Sequence, residues 1–261
     1  MYIRALIGIL LPFLGTSIGA LCVFFSKENF NSVFKRSICG FAAGVMIAAS
    51  VWSLLIPAME YESSLTLGAF AFVPATMGLW CGILFLFVTQ RITDNIDENA
   101  LLSKAKRSFG DNTMLFLSVT LHNLPEGMAV GVVYAALIAF PSVEAYGGAL
   151  ALSLGIAIQN IPEGAIISMP LAADGMKKKK AFLLGVLSGL VEPVGAILTL
   201  LLLSIILPVL PFLLGFAAGA MIYAVTEELI PEMVNNDGCH TGVWSFSAGF
   251  SVMMVLDVVL G

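Results

Sequence analysis

The chain has 261 residues and a formal net charge of −5; 59% of its residues are hydrophobic and 11% are charged, and the mean hydropathy is +1.00. A soluble domain carries about 25% charged residues, so the composition excludes a soluble enzyme or a nucleic-acid-binding domain and describes an all-α integral membrane protein. A bilayer-spanning helix needs about 20 mainly apolar residues. Eight segments qualify: roughly 5–25, 38–59, 67–89, 114–139, 147–171, 181–206, 211–232 and 243–260. They form one transmembrane domain, 1–261, with a single sizeable loop at about 90–113.

Span 1 has an apolar run longer than the roughly 7–15 residues of a signal-peptide core, and Lys27, Lys35 and Arg36 lie behind it, so it is read as retained. Span 2 opens on GFAAG at Gly40 and closes on LIP at Leu55. The charged loop after span 3 carries Asp94, Asp97, Glu98 and Asp111, read as a solvated segment. Span 4 contains HNLPEG, His122 to Gly127, and span 5 contains QNIPEG, Gln159 to Gly164. Lys177, Lys178, Lys179 and Lys180 precede span 6 as a stop signal suited to anionic lipid. Span 6 carries Glu192 followed by Pro193, and span 7 opens again on GFAAG at Gly215 and closes on LIP at Leu229. Cys239 and His240 stand together before span 8, read as a free thiol beside a solvated histidine. The four cysteines show no metal-type spacing and imply no disulfide framework.

All of the twelve Lys and Arg except Arg4 fall in the loops that follow odd-numbered spans. The positive-inside rule makes that side cytoplasmic and places both termini outside. The outer loops hold Glu60, Glu62 and Glu144 without a Lys or Arg, a distribution that concentrates cations. The matching ends of spans 2 and 7, and the matching hexapeptides of spans 4 and 5, pair helices that run in opposite directions. This is the pattern of a 3+2+3 inverted repeat, with halves at about 1–89 and 181–261 around central helices within 114–171. Such folds place the substrate at the repeat interface, near the bilayer midplane, on broken helices.

A charge at the centre of a spanning helix costs at least ~2.5–3.5 kcal/mol, so ionisable residues there usually mark a site or a path. Glu126, Glu163 and Glu192 lie at similar depth on three helices. His122 and Asn123 precede Glu126 by one helical turn, as Gln159 and Asn160 precede Glu163, so each motif turns a carboxylate and two neutral groups to one face. Pro125 and Pro162 lack an N–H, which frees the carbonyls of Leu121 and Ile158, either to kink the helix or to serve as extra oxygen ligands. No Lys or Arg lies within these spans. One or two divalent cations would neutralise the three acids, and imidazole with carboxylate and amide oxygen suits zinc, manganese, iron or cadmium. Three other readings compete: a polar network that only fixes packing, a proton- or sodium-coupled carrier for a small organic solute, and an intramembrane metalloprotease. The last needs HExxH or its like, and the two histidines, His122 and His240, do not supply it.

The eight spans, the paired HN-x-PEG and QN-x-PEG motifs, the Glu-Pro of span 6 and the GFAAG…LIP segments resemble the ZIP family of divalent-metal transporters, in its bacterial GufA-like branch, over essentially the whole chain. The resemblance implies import of Zn²⁺ or a similar divalent cation (Cd²⁺, Fe²⁺, Mn²⁺) through the inner membrane by a non-enzymatic, elevator-like carrier that forms a homodimer. It implies a binuclear site, with His122, Glu126, Gln159 and Glu163 at one position. Asn123, Glu126, Asn160, Glu163 and Glu192 make the other, bridged by Glu126 and Glu163. Met46, Ser53, Glu60 and Asp257 correspond to the family's outer access path, and Glu227, Glu228 and His240 to its cytoplasmic exit. Spans 1, 4, 5 and 6 would move against 2, 3, 7 and 8. Gln159 departs from the histidine that many relatives carry, which bears on metal choice.

Overall fold

Backbone groups find no water in hydrocarbon, so a chain this apolar crosses a membrane as helices or as a closed barrel. The computed structural model, which describes residues 2–25, 32–65, 68–98, 112–173, 175–202, 207–234 and 240–260, takes the helical solution: among the described residues every regular element is a helix. Span 1 is Tyr2–Ala20 with a short continuation Cys22–Phe25. Span 2 is Ser32–Ala49, a π-helical turn Ser50–Leu55 and Ile56–Leu65. Span 3 is Phe72–Glu98, span 4 Asn112–Ala139 and span 5 Val143–Ala173. Span 6 is Lys178–Gly189 followed by Val191–Leu201. Span 7 is Leu210–Ala224, a second π-helical turn Val225–Leu229 and Ile230–Met233; span 8 is Thr241–Leu260. Seven of these helices are long and apolar enough to cross a membrane, and the Asn123–Ala139 portion of span 4 is a shorter apolar helix. The chain is a multi-pass membrane protein.

The helix of span 3 runs on to Glu98, past the expected edge near residue 89. The side chains of Glu62, Asp94, Asp97, Glu98, His122 and Glu144 lie outside the described residues, as do Lys27, Lys104, Lys106, Arg107, Asp111 and Cys239.

No break in the helix falls at the prolines of the hexapeptides. Spans 4 and 5 run unbroken through Pro125 and Pro162. A single missing hydrogen bond is tolerated where neighbouring helices support the backbone. The interruptions among the described residues of the spans fall instead at Leu21, at Leu190 just before Glu192, and at the two π turns. Each π turn immediately precedes an Ile-Pro pair. Pro57 and Pro231 cannot donate to the carbonyls of Ser53 and Glu227, and their rings press on those carbonyls. The preceding turn widens, and the N–H of Ile56 reaches back to the Val51 oxygen as that of Ile230 does to Val225.

Packing joins the spans in pairs: 1 with 5, 2 with 8, 3 with 7, and the second half of 6 with 4. Glycines set these seams. A Cβ on Gly40 or Gly44 would collide with span 8 backbone, and one on Gly215 or Gly219 with span 3 backbone. The GFAAG runs thus serve close helix approach, the usual use of small residues inside membranes. Spans 3 and 8 are outermost, with apolar side chains such as Trp80, Leu84, Trp244 and Val255 exposed; spans 2, 5 and 7 are central.

Candidate metal site

Six of the seven expected ligand residues have described side chains, and the fold gathers them. Asn123 and Glu126 from span 4, Gln159 and Asn160 from span 5 and Glu192 from span 6 are all at most 2% exposed, while Glu163 is half-buried. His122 belongs to the same helix as Glu126, and its side chain is the one that lies outside the described residues. Helical spacing puts each amide and its carboxylate on one face, and seams without side-chain bulk bring the faces together. Gly127 meets the backbone of Glu192, and Gly164 meets that of Thr16 and Ala20.

The hydrogen bonds have a common sense of direction. Gln159 Nε2 donates to Glu126 Oε1 at 2.8 Å. Asn123 Nδ2 donates to the Ser188 carbonyl at 3.1 Å and Asn160 Nδ2 to the Pro12 carbonyl at 3.4 Å. Thr16 Oγ1 donates to Glu192 Oε1 at 2.9 Å. Each of the three amides therefore spends a donor inside the protein, Asn123 and Asn160 on backbone carbonyls and Gln159 on Glu126, and keeps its oxygen without a partner. Among the described residues, seven buried side-chain atoms have no hydrogen-bond partner, and six belong to this set: Asn123 Oδ1, Glu126 Oε2, Gln159 Oε1, Asn160 Oδ1, Glu163 Oε2 and Glu192 Oε2; the seventh is Ser168 Oγ. An unsatisfied buried polar group costs about 1–3 kcal/mol, and more when charged. Six oxygens left this way on three adjoining helices are poorly explained by packing and well explained by a bound cation.

The three carboxylates interact electrostatically: Glu126 with both Glu163 and Glu192, and Glu192 with Glu163. Among the described residues no three His, Cys, Asp or Glu side chains close into a metal cluster on their own.

The path residues divide. Ser53 and Asp257 meet, the hydroxyl lying 2.9 Å from each carboxylate oxygen, and Met46 is buried two turns away on span 2. Glu228, on the π turn of span 7, is half-buried and interacts electrostatically with Glu163. Glu60, Glu227 and His240 are exposed, outside the buried cluster. Lys35 and Glu232 form a 2.8 Å ion pair where span 2 begins and span 7 ends.

Two participants escaped the sequence reading. Thr16 contacts Glu192, and the Pro12 carbonyl accepts from Asn160. The available signal was Thr16-Ser17, a polar pair within an otherwise apolar span.

Comparison with known proteins places the chain in a family. Residues 97–257 match the family described as ZIP Zinc transporter. The chain is 35% identical to "Zinc transporter ZIP11" of Xenopus tropicalis over 99% of this chain and 98% of that one. It is 36% identical to "Zinc transporter GufA" of Myxococcus xanthus over 98% of both chains. Identity to "Zinc transporter ZIPB" of Bordetella bronchiseptica is 34%, over 98% of this chain and 81% of that one. Motifs, helix count and whole-length similarity agree: the chain belongs to the ZIP family, a family of transporters rather than enzymes.

Proposed function

We propose that this protein carries zinc and similar divalent cations into the cytoplasm through a two-ion site between spans 4, 5 and 6. The observation that carries the reading is the set of six buried, unpartnered oxygens on those spans. Relatives named as zinc transporters supply the identity of the cargo; cadmium, iron and manganese fit the same donors. One position uses His122, Glu126, Gln159 and Glu163. The other uses Asn123, Glu126, Asn160, Glu163 and Glu192, with Glu126 and Glu163 shared. Metal approaches by Glu60, Asp257, Ser53 and Met46 and leaves by Glu228, Glu227 and His240.

In this reading the chain is one transmembrane domain with both termini outside and the basic loops inside. It is an inverted repeat that exchanges spans 1 and 6, 2 and 7, 3 and 8, and 4 and 5. The helix pairing supports it, because that exchange converts the pairs 1·5 and 2·8 into 6·4 and 7·3, which are the other two pairs. The same pairing supports a division into a body of spans 1, 4, 5 and 6 that carries the site and a body of 2, 3, 7 and 8 against which it moves. The homodimer rests on family resemblance alone.

The test is uptake by proteoliposomes offered zinc, cadmium, manganese, iron or magnesium separately. Zinc uptake is expected, with magnesium excluded. Failure to take up any transition metal would overturn the proposal.

A further inference from the structure

We propose that Thr16 of span 1 is a positioning residue of the cation site: its hydroxyl holds Glu192 with one carboxylate oxygen turned toward the ion, and so sets the affinity of the position that Glu192 completes. The inference rests on the metal-site reading above and adds a fourth helix to it.

Thr16 is completely buried. A threonine hydroxyl inside a helix ordinarily donates to the carbonyl four residues back. Here that acceptor, Pro12, is 3.4 Å away, whereas Glu192 Oε1 is at 2.9 Å. The hydroxyl has one hydrogen. Distance and the strength of a charge-assisted bond assign it to the carboxylate. The Pro12 carbonyl already accepts from Asn160 Nδ2. With Oε1 occupied, Oε2 is the oxygen of Glu192 left without a partner.

The side chain of Thr16 is also held in place. A Cβ on Gly189, beside the break in span 6, would lie within 2.9 Å of Thr16 Cβ, Cγ2 and Oγ1, and one on Gly164 would strike the Thr16 carbonyl. Thr16 is wedged between the QNIPEG motif and the turn that leads into Glu192. A third observation concerns where it stands. Gly127, which ends HNLPEG, packs on the backbone of Glu192, and Gly164, which ends QNIPEG, packs on that of Thr16. The two residues therefore occupy corresponding places against the two motifs, one as a carboxylate and the other as the neutral donor that orients it.

The test uses the full-length protein in detergent, titrated calorimetrically with zinc, and the same variants in proteoliposomes. Residues that orient a metal ligand typically cost about 10–100-fold in affinity when lost. Thr16→Val should weaken zinc binding and raise the KM for uptake by about 10-fold, with kcat and metal-free thermal stability little changed. Thr16→Ser should restore both. Thr16→Val placed on Glu192→Ala, which leaves the hydroxyl no carboxylate to orient, should add nothing further, since the two act on one contact. Thr16→Ala takes the place of Thr16→Val if the valine does not fold. Wild-type binding by Thr16→Val, failure of serine to rescue, or additive losses in the double variant would overturn the proposal. Glu126→Ala separates the two levels. Normal zinc binding by that variant defeats the site itself, whereas lost binding there with normal binding by Thr16→Val defeats only the role of Thr16.

Discussion

Glu126 keeps one oxygen bonded to Gln159 and the other bare, although both lie out of reach of water. A side chain retained for packing would have both oxygens satisfied. If Glu126 and Glu163 bridge two ions, Glu126→Ala and Glu163→Ala should each remove nearly all zinc uptake, while Glu192→Gln keeps an oxygen ligand and should lose only part. Initial rates in proteoliposomes decide this, and two folded alanine variants with normal rates would refute the assignment. This cluster was legible in the sequence because charge and amide groups in hydrocarbon are costly, and because spacing of three and four puts them on one face. Thr16 was not, since a hydroxyl in a helix satisfies itself on its own backbone at little cost. Nor could spacing announce the meeting of Ser53 with Asp257, 204 residues apart.

At the scale of the element, the π turns place groups that a regular helix would turn elsewhere. Glu227 and Glu228 stand on the turn before Pro231, and Ser53 on the turn before Pro57. Such turns are common at functional sites. Pro231→Ala returns an N–H to the Glu227 carbonyl and lets the turn tighten, which reorients both acids. Zinc uptake should fall while the melting temperature holds or rises, because a helical proline is worth about 3 kcal/mol of destabilisation. Unchanged uptake in a variant of unchanged fold would show that the acids need no such placement. The LIP segments were visible in the sequence as marks of repetition. Their effect on the turn before them was not, because it depends on the helix continuing past the proline, and tertiary packing decides that. The same cause explains Pro125 and Pro162, where the helix continues past the proline.

At the scale of the whole molecule, the membrane spans could be read from hydropathy, and the two duplicated motifs suggested the repeat proposed above, whereas the partner of each helix could not be read. Partnership is set by glycine seams whose counterparts lie far along the chain, as Gly219 meets Leu79. If the two proposed bodies move past one another, a thiol linker between them should stop transport and one within a body should not. With native cysteines replaced, joining Gly155→Cys to Met253→Cys ties span 5 to span 8 across the boundary, where these residues touch. Joining Gln90→Cys to Tyr223→Cys stays inside one body, where the native side chains are 2.7 Å apart. Uptake should vanish on the first linkage and persist on the second. The two halves also differ in length at one place. From GFAAG to the start of the π turn the register of spans 2 and 7 is the same, and it resumes at Ile-Pro; the turn itself holds six residues in one, Ser50–Leu55, and five in the other, Val225–Leu229. Both turns nevertheless close on the same five-residue-back bond into the Ile-Pro step, so two arms of unequal length end alike while presenting different chemistry, Ser50 and Ser53 on one and Glu227 with Glu228 on the other.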